Sequence, residues 1–93
     1  MNPLVASYVK TCEACPEQYE GTLTDGRIFY FSYSRGEVFL GIGRTLDEAV
    51  RAQGTRVELD KPADGMFDSE EQRDEMFGAL LSLHEAGNRP STA

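Results

Sequence analysis

Apolar residues along this 93-residue chain fall into several periodicities. Near the start, Asn2-Pro3 offers a capping residue and then a Pro suited to a first helical position. Leu4, Val5, Tyr8, Val9 and Cys12 follow at three- and four-residue spacing. That spacing predicts an amphipathic helix over residues 3–13, which Pro16 ends.

The pattern then changes to short strand-like runs. Residues 18–24 and 27–34 flank Asp25-Gly26, a favoured pair for a two-residue hairpin turn. Residues 27–34 and 37–42 flank Arg35-Gly36. Two tight turns predict a three-stranded antiparallel meander. Counting outward from them places Thr22 opposite Phe29, Glu20 opposite Phe31, Tyr33 opposite Val38 and Phe31 opposite Leu40. One sheet face then carries Phe29, Phe31, Tyr33, Val38, Leu40 and Ile42, and this is the expected core side. The other carries Tyr19, Leu23, Ile28, Tyr30, Ser32 and Phe39.

Thr45-Leu46-Asp47-Glu48 matches a capping box and opens a short helix that Gly54 closes. Val57 and Leu59 alternate with polar residues, predicting a fourth strand over 55–59. After a loop over 60–67, Asp68 or Ser69 caps a last helix of about residues 70–86. Met76, Phe77, Leu80, Leu81 and His84 give it an apolar stripe. The predicted order is α-β-β-β-α-β-α, an α+β domain over residues 1–87 with helices on one sheet face. Residues 88–93 are expected to form a flexible tail.

Charge narrows the function. The chain has 16 Asp+Glu against 9 Lys+Arg, a net charge of −7. Residues 57–93 hold nine of the acids and three of the bases. Such a field repels phosphate backbones, so nucleic acid is not the expected partner. No apolar run is long enough for a membrane span, and no basic-then-apolar leader is visible. The expected setting is the cytoplasm, or the host cytoplasm if the gene belongs to a phage. The expected partner is a protein, with a basic surface suiting the charge.

Few residues suggest chemistry. Cys12-Glu13-Ala14-Cys15 is a C-x-x-C pair. It reads as a redox couple, as half of a zinc site completed by a second chain in a symmetric dimer, or as two small apolar side chains near the core. Glu13 and Glu17 favour the protonated thiol. Asp60, Asp64, Asp68 and Glu71 fall at positions 1, 5, 9 and 12 of a calcium-loop spacing, with Gly65 at position 6. Pro62 stands where a ligand is needed, and the competing reading is an acidic turn running into a helix. Gly41-Ile42-Gly43 lacks the third glycine of a dinucleotide motif and reads as close backbone approach. His84 is the single histidine, so neither a Ser-His-Asp set nor a His pair for a metal stands out. The expectation is a non-enzymatic module without cofactor. It would bind its partner through aromatic Tyr19, Tyr30 and Phe39 and through acidic residues 58–75, including Asp64, Asp68 and Glu71.

Two resemblances bear on this. A meander followed by Gly43-Arg44-Thr45-Leu46-Asp47-Glu48-Ala49-Val50 resembles the N-terminal domain of HicB-type antitoxins over residues 18–59. That likeness implies binding and blocking a basic toxin RNase. The stretch Tyr19–Glu37 also resembles small proteins of actinobacterial phages, which implies no defined activity.

Overall fold

The computed structural model describes residues 2–12, 17–58 and 67–88. Among the described residues, five strands and two helices follow in the order β1 (Val5–Cys12), β2 (Glu17–Leu23), β3 (Ile28–Ser34), β4 (Glu37–Gly43), α1 (Leu46–Arg51), β5 (Thr55–Glu58) and α2 (Glu70–Asn88). The strands form one antiparallel sheet in sequence order. The fold is α+β and contains the expected meander.

The first segment corrects the sequence expectation: residues 5–12 form a strand, not a helix. Val5, Val9 and Thr11 are β-branched and Tyr8 is aromatic, all suited to a pleated surface. The helix-like spacing comes from irregular pairing. The register of β1 on β2 shifts between Val5 and Ser7, and again between Lys10 and Cys12. Inserting a residue lets Val5, opposite Leu23, and Tyr8, opposite Gly21, point to one sheet face although they are three apart.

The β2–β3 hairpin carries a second correction. Tyr19 pairs with Phe31 and Gly21 with Phe29, one residue away from the expected register. The turn explains the slip. Leu23 N donates to Arg27 O (2.8 Å) and Gly26 N donates to Leu23 O (3.0 Å). Gly26 has φ +92°. This is a three-residue loop ending in a left-handed glycine, not a two-residue turn. A slip of one residue exchanges the faces of β2, so Tyr19 and Leu23 move to the core side. The β3–β4 hairpin has the expected register, with Arg35 (φ 52°) and Gly36 (φ 79°) both left-handed in a two-residue turn.

The core lies between the sheet and α2. Phe77, Leu80 and Leu81 of α2 pack with Tyr19, Leu23, Phe29, Phe31, Tyr33, Val38, Leu40 and Phe67. Phe77 meets Phe29 and Phe31 edge-on, with centroids 4.9 and 5.1 Å apart. Phe67 stacks on Phe31 at 5.5 Å. These are favourable aromatic geometries and carry much of the buried apolar area.

The helices do not share a face, a third correction. Helix α1 packs behind the sheet, on the side of Gly41 and Gly43. A methyl group at Gly41 would overlap the Ala49 carbonyl, and one at Gly43 would crowd Glu48 and the Ala49 amide. The two glycines therefore act as close-approach positions, and Ala49 is fully buried between them and its helix. The expected cap of α1 is present: Glu48 N donates to Thr45 Oγ1 (3.1 Å), and Arg44 N donates to Glu48 Oε1 (3.2 Å).

Candidate functional site

The start of α2 separates its charges by helical period. Ser69 Oγ accepts from Gln72 N (3.0 Å), and Gln72 Oε1 accepts from Asp68 N (2.6 Å), closing the first turn. Arg73 lies four residues before Phe77 and eight before Leu81, so it falls on the buried stripe. Asp68, Glu70, Glu71 and Glu75 are exposed, and Asp74 is half-buried. Five carboxylates thus occupy residues 68–75. Glu70, Glu71 and Glu75 make no ion pair among the described residues.

Arg73, the one base in that stretch, is only 7% exposed. Its guanidinium lies 5.5 Å from the Tyr8 ring centroid and 5.3 Å from that of Tyr19. Its Nε donates to Asp74 Oδ1 at 2.9 Å. Burial alone would lower its pKa. The hydrogen bond to Asp74, then that to Tyr19, outweighs burial and holds it above the ordinary value. The positive charge is thereby spent on aromatic faces and on one carboxylate.

Beside Arg73 lies a cleft of about 370 Å³ lined by Tyr8, Lys10, Glu17, Tyr19, Phe67, Ser69 and Glu70 as well as Arg73. Glu17 is buried there. It pairs with Lys10 Nζ (3.2 Å) and accepts from Phe67 N (3.3 Å). Lys10 also sits 5.8 Å from the Tyr19 ring. The cleft's cations are therefore already matched: Lys10 by Glu17 and the Tyr19 ring, and Arg73 by Asp74 and the rings of Tyr8 and Tyr19.

The aromatic patch expected on the opposite face is reduced. Tyr19 has moved to the core side and is 3% exposed. Tyr30 and Phe39 do lie on the expected face, 6.1 Å apart. Phe39, however, is buried beneath the Arg56 guanidinium, 4.7 Å from its ring, and against Gly54. Only Tyr30 of the three stays half-buried. What that face exposes is aliphatic: Val9 on β1, with Leu46 and Val50 on α1.

The remaining sequence candidates separate. Asp68 and Glu71 sit at the start of α2, whereas Asp64 lies outside the described residues, with the rest of 60–66. Cys12 is half-buried at the end of β1, and Cys15 lies outside the described residues. Among the described residues no group of three or more His, Cys, Asp or Glu is placed to hold a metal ion. His84 is half-buried on α2. No helix among the described residues is long and apolar enough to cross a membrane. Comparison with known protein families, curated proteins and solved structures finds no match for this chain.

Sequence reasoning missed Arg73, Lys10 and Glu17. The spacing of Arg73 from Phe77 and Leu81 was a usable signal. The Lys10–Glu17 pair was not visible, because it depends on β1 being a strand.

Proposed function

We propose that this chain is a small acidic, non-enzymatic protein-binding module that docks a basic protein surface on the N-terminal half of α2. One observation carries the reading: five carboxylates lie in residues 68–75 while Arg73, the only base among them, is turned inward onto Tyr8 and Tyr19. Withdrawing that charge leaves a one-signed surface on a rigid element. A net charge of −7 extends the attraction beyond contact distance. Complementary fields of this kind speed encounter and select partners by sign. A basic RNase toxin, in line with the HicB-type resemblance, or a basic host protein of a phage fits this chemistry. The aliphatic outer face and Tyr30 have a secondary place in this reading.

The test uses a fluorescent Lys/Arg-rich peptide interspersed with apolar residues as the probe. Neutralising Asp68, Glu71 and Glu75 to Asn or Gln should weaken its binding about tenfold or more and flatten its salt dependence. Neutralising Glu20, Asp47 and Glu58 removes the same charge elsewhere and should change affinity less than threefold by the same reasoning. Equal losses in the two triple variants would show that net charge, and not this patch, attracts the probe.

A further inference from the structure

Glu17 is the one buried carboxylate among the described residues. It opens β2 and lines the cleft together with Tyr8 and Lys10 of β1 and with Phe67, Ser69 and Glu70. A buried carboxylate must keep a partner, because stranding it costs far more than an exposed ion pair returns. Its partners here are the Phe67 amide (3.3 Å) and Lys10 Nζ (3.2 Å). The amide is fixed in the backbone, whereas the ammonium rides on a flexible stem from the edge strand. Lys10 lies opposite Tyr19 in the ladder, and its Nζ is 5.8 Å from the centroid of that ring. The Lys10 side chain is 37% exposed and that of Glu17 only 7%. The cleft therefore holds a complete ammonium site, a buried carboxylate beside an aromatic face. It is filled from the rim by a side chain that can swing away.

We infer that this cleft receives one arginine or lysine side chain of the partner in exchange for Lys10, with Glu17 as the receiving carboxylate, an assignment that rests on the partner being basic as proposed above. The burial of Glu17 selects the ligand class. A guest without positive charge would strand the carboxylate, whereas a guanidinium or ammonium keeps it paired through the exchange. An anion meets repulsion from Glu17 and Glu70, while Arg73 is held by Asp74 and by the Tyr8 and Tyr19 rings. Guanidinium suits the lining better than ammonium, since it can lie on a ring and fork toward a carboxylate at once. The volume of about 370 Å³ falls within the roughly 300–1,000 Å³ of small-ligand sites. Glu70 makes no ion pair among the described residues, and it belongs both to the cleft lining and to the acidic stretch 68–75. The cleft is thus continuous with the proposed docking surface. Lys10 acts as a built-in competitor: the apparent affinity for the guest falls in proportion to the time the site stands open.

Lys10→Met keeps the stem and removes the competing charge. The probes are the fluorescent Lys/Arg-rich peptide and N-acetyl-arginine amide. Lys10→Met should bind the peptide about five- to tenfold more tightly than wild type. Arg44→Met removes the same charge from a side chain 89% exposed elsewhere, and should change affinity less than about twofold. In Lys10→Met, millimolar N-acetyl-arginine amide should shift the ring-proton resonances of Tyr8, Tyr19 and Phe67 saturably and raise the melting temperature. N-acetyl-norleucine amide should do neither, and adding Glu17→Gln should cancel the arginine response. Wild type should show the same ring shifts at about five- to tenfold higher amide concentration, a readout independent of how the variant folds. Equal gains in Lys10→Met and Arg44→Met would overturn the exchange. So would equal responses to the two amides, or an arginine response that survives Glu17→Gln. The triple Asp68, Glu71 and Glu75 variant separates the two readings, because the amide fits the cleft and not the patch. Amide binding in the cleft without any effect of that variant on the peptide would support the cleft and count against the docking surface. A strong effect on the peptide without amide binding would overturn the cleft alone.

Discussion

Replacing Tyr19 with Ala removes a ring that the shifted β2–β3 register places in the core. The ring is 3% exposed and lies 6.1 Å from both Tyr8 and Phe31. Arg73 and Lys10 approach its face at 5.3 and 5.8 Å. Truncating a buried aromatic costs about 3–5 kcal/mol, through lost transfer energy and the cavity left behind. Tyr19 borders the cleft, where neighbours can relax inward, so the lower end, about 3 kcal/mol, is expected. A chain of this size has a total stability of about 5–14 kcal/mol. The melting temperature should fall by about 12–24 °C. The neighbouring Glu20→Ala variant should stay within about 0.5 kcal/mol of wild type. Urea unfolding at pH 7 and 25 °C, with an unchanged slope against denaturant, measures both. The register expected from a two-residue turn exchanges these positions, turning Tyr19 outward and Glu20 inward. A Tyr19→Ala cost below about 1 kcal/mol would refute the reasoning, because no buried aromatic comes out so cheaply.

Three further outcomes follow from the same geometry. Arg73→Ala should lower stability by about 2–3 kcal/mol, through two lost cation–π contacts, the Asp74 bond and the buried stem, and Arg73→Lys should recover less than half in urea melts. Gly41→Ala should displace α1 and lower the melting temperature markedly, whereas Gly26→Asn, which tolerates the left-handed turn, should have a small effect in the same thermal scans. Asp25 accepts from the Arg27 backbone N (3.1 Å) and from its Nε (2.8 Å), and these contacts lower its pKa from 3.8. The stabilisation is therefore full above the unfolded value and lost as pH falls through the lowered folded one. The melting-temperature gap between wild type and Asp25→Asn should close on acidification, and a constant gap would argue against it.

The legible parts of the fold were those with one local solution. Arg35-Gly36 admits a two-residue turn, so the faces of β3 and β4 follow by counting. Thr45 and Glu48 satisfy α1's first amides by themselves, and the Phe77, Leu80, Leu81 stripe has room for nothing but a helix. Asp25-Gly26 is ambiguous because Asp-Gly serves both a two-residue turn and a three-residue loop with a left-handed glycine. The second was adopted, and it carried Tyr19 and Leu23 across the sheet. In β1, shifts in the ladder gave Val5 and Tyr8 a helical spacing while β-branched residues favoured a strand. The acidity of residues 68–75 was visible in composition. The inward turn of Arg73 depends on Tyr8 and Tyr19 meeting on one face, which requires both corrections at once.

Cross-strand nuclear Overhauser contacts in the labelled protein test the shared premise most directly. The account predicts Tyr19 opposite Phe31, Gly21 opposite Phe29 and Tyr8 opposite Gly21, with extended-chain chemical shifts over residues 5–12. Contacts of Thr22 with Phe29 and of Glu20 with Phe31, or helical shifts over residues 5–12, would contradict it.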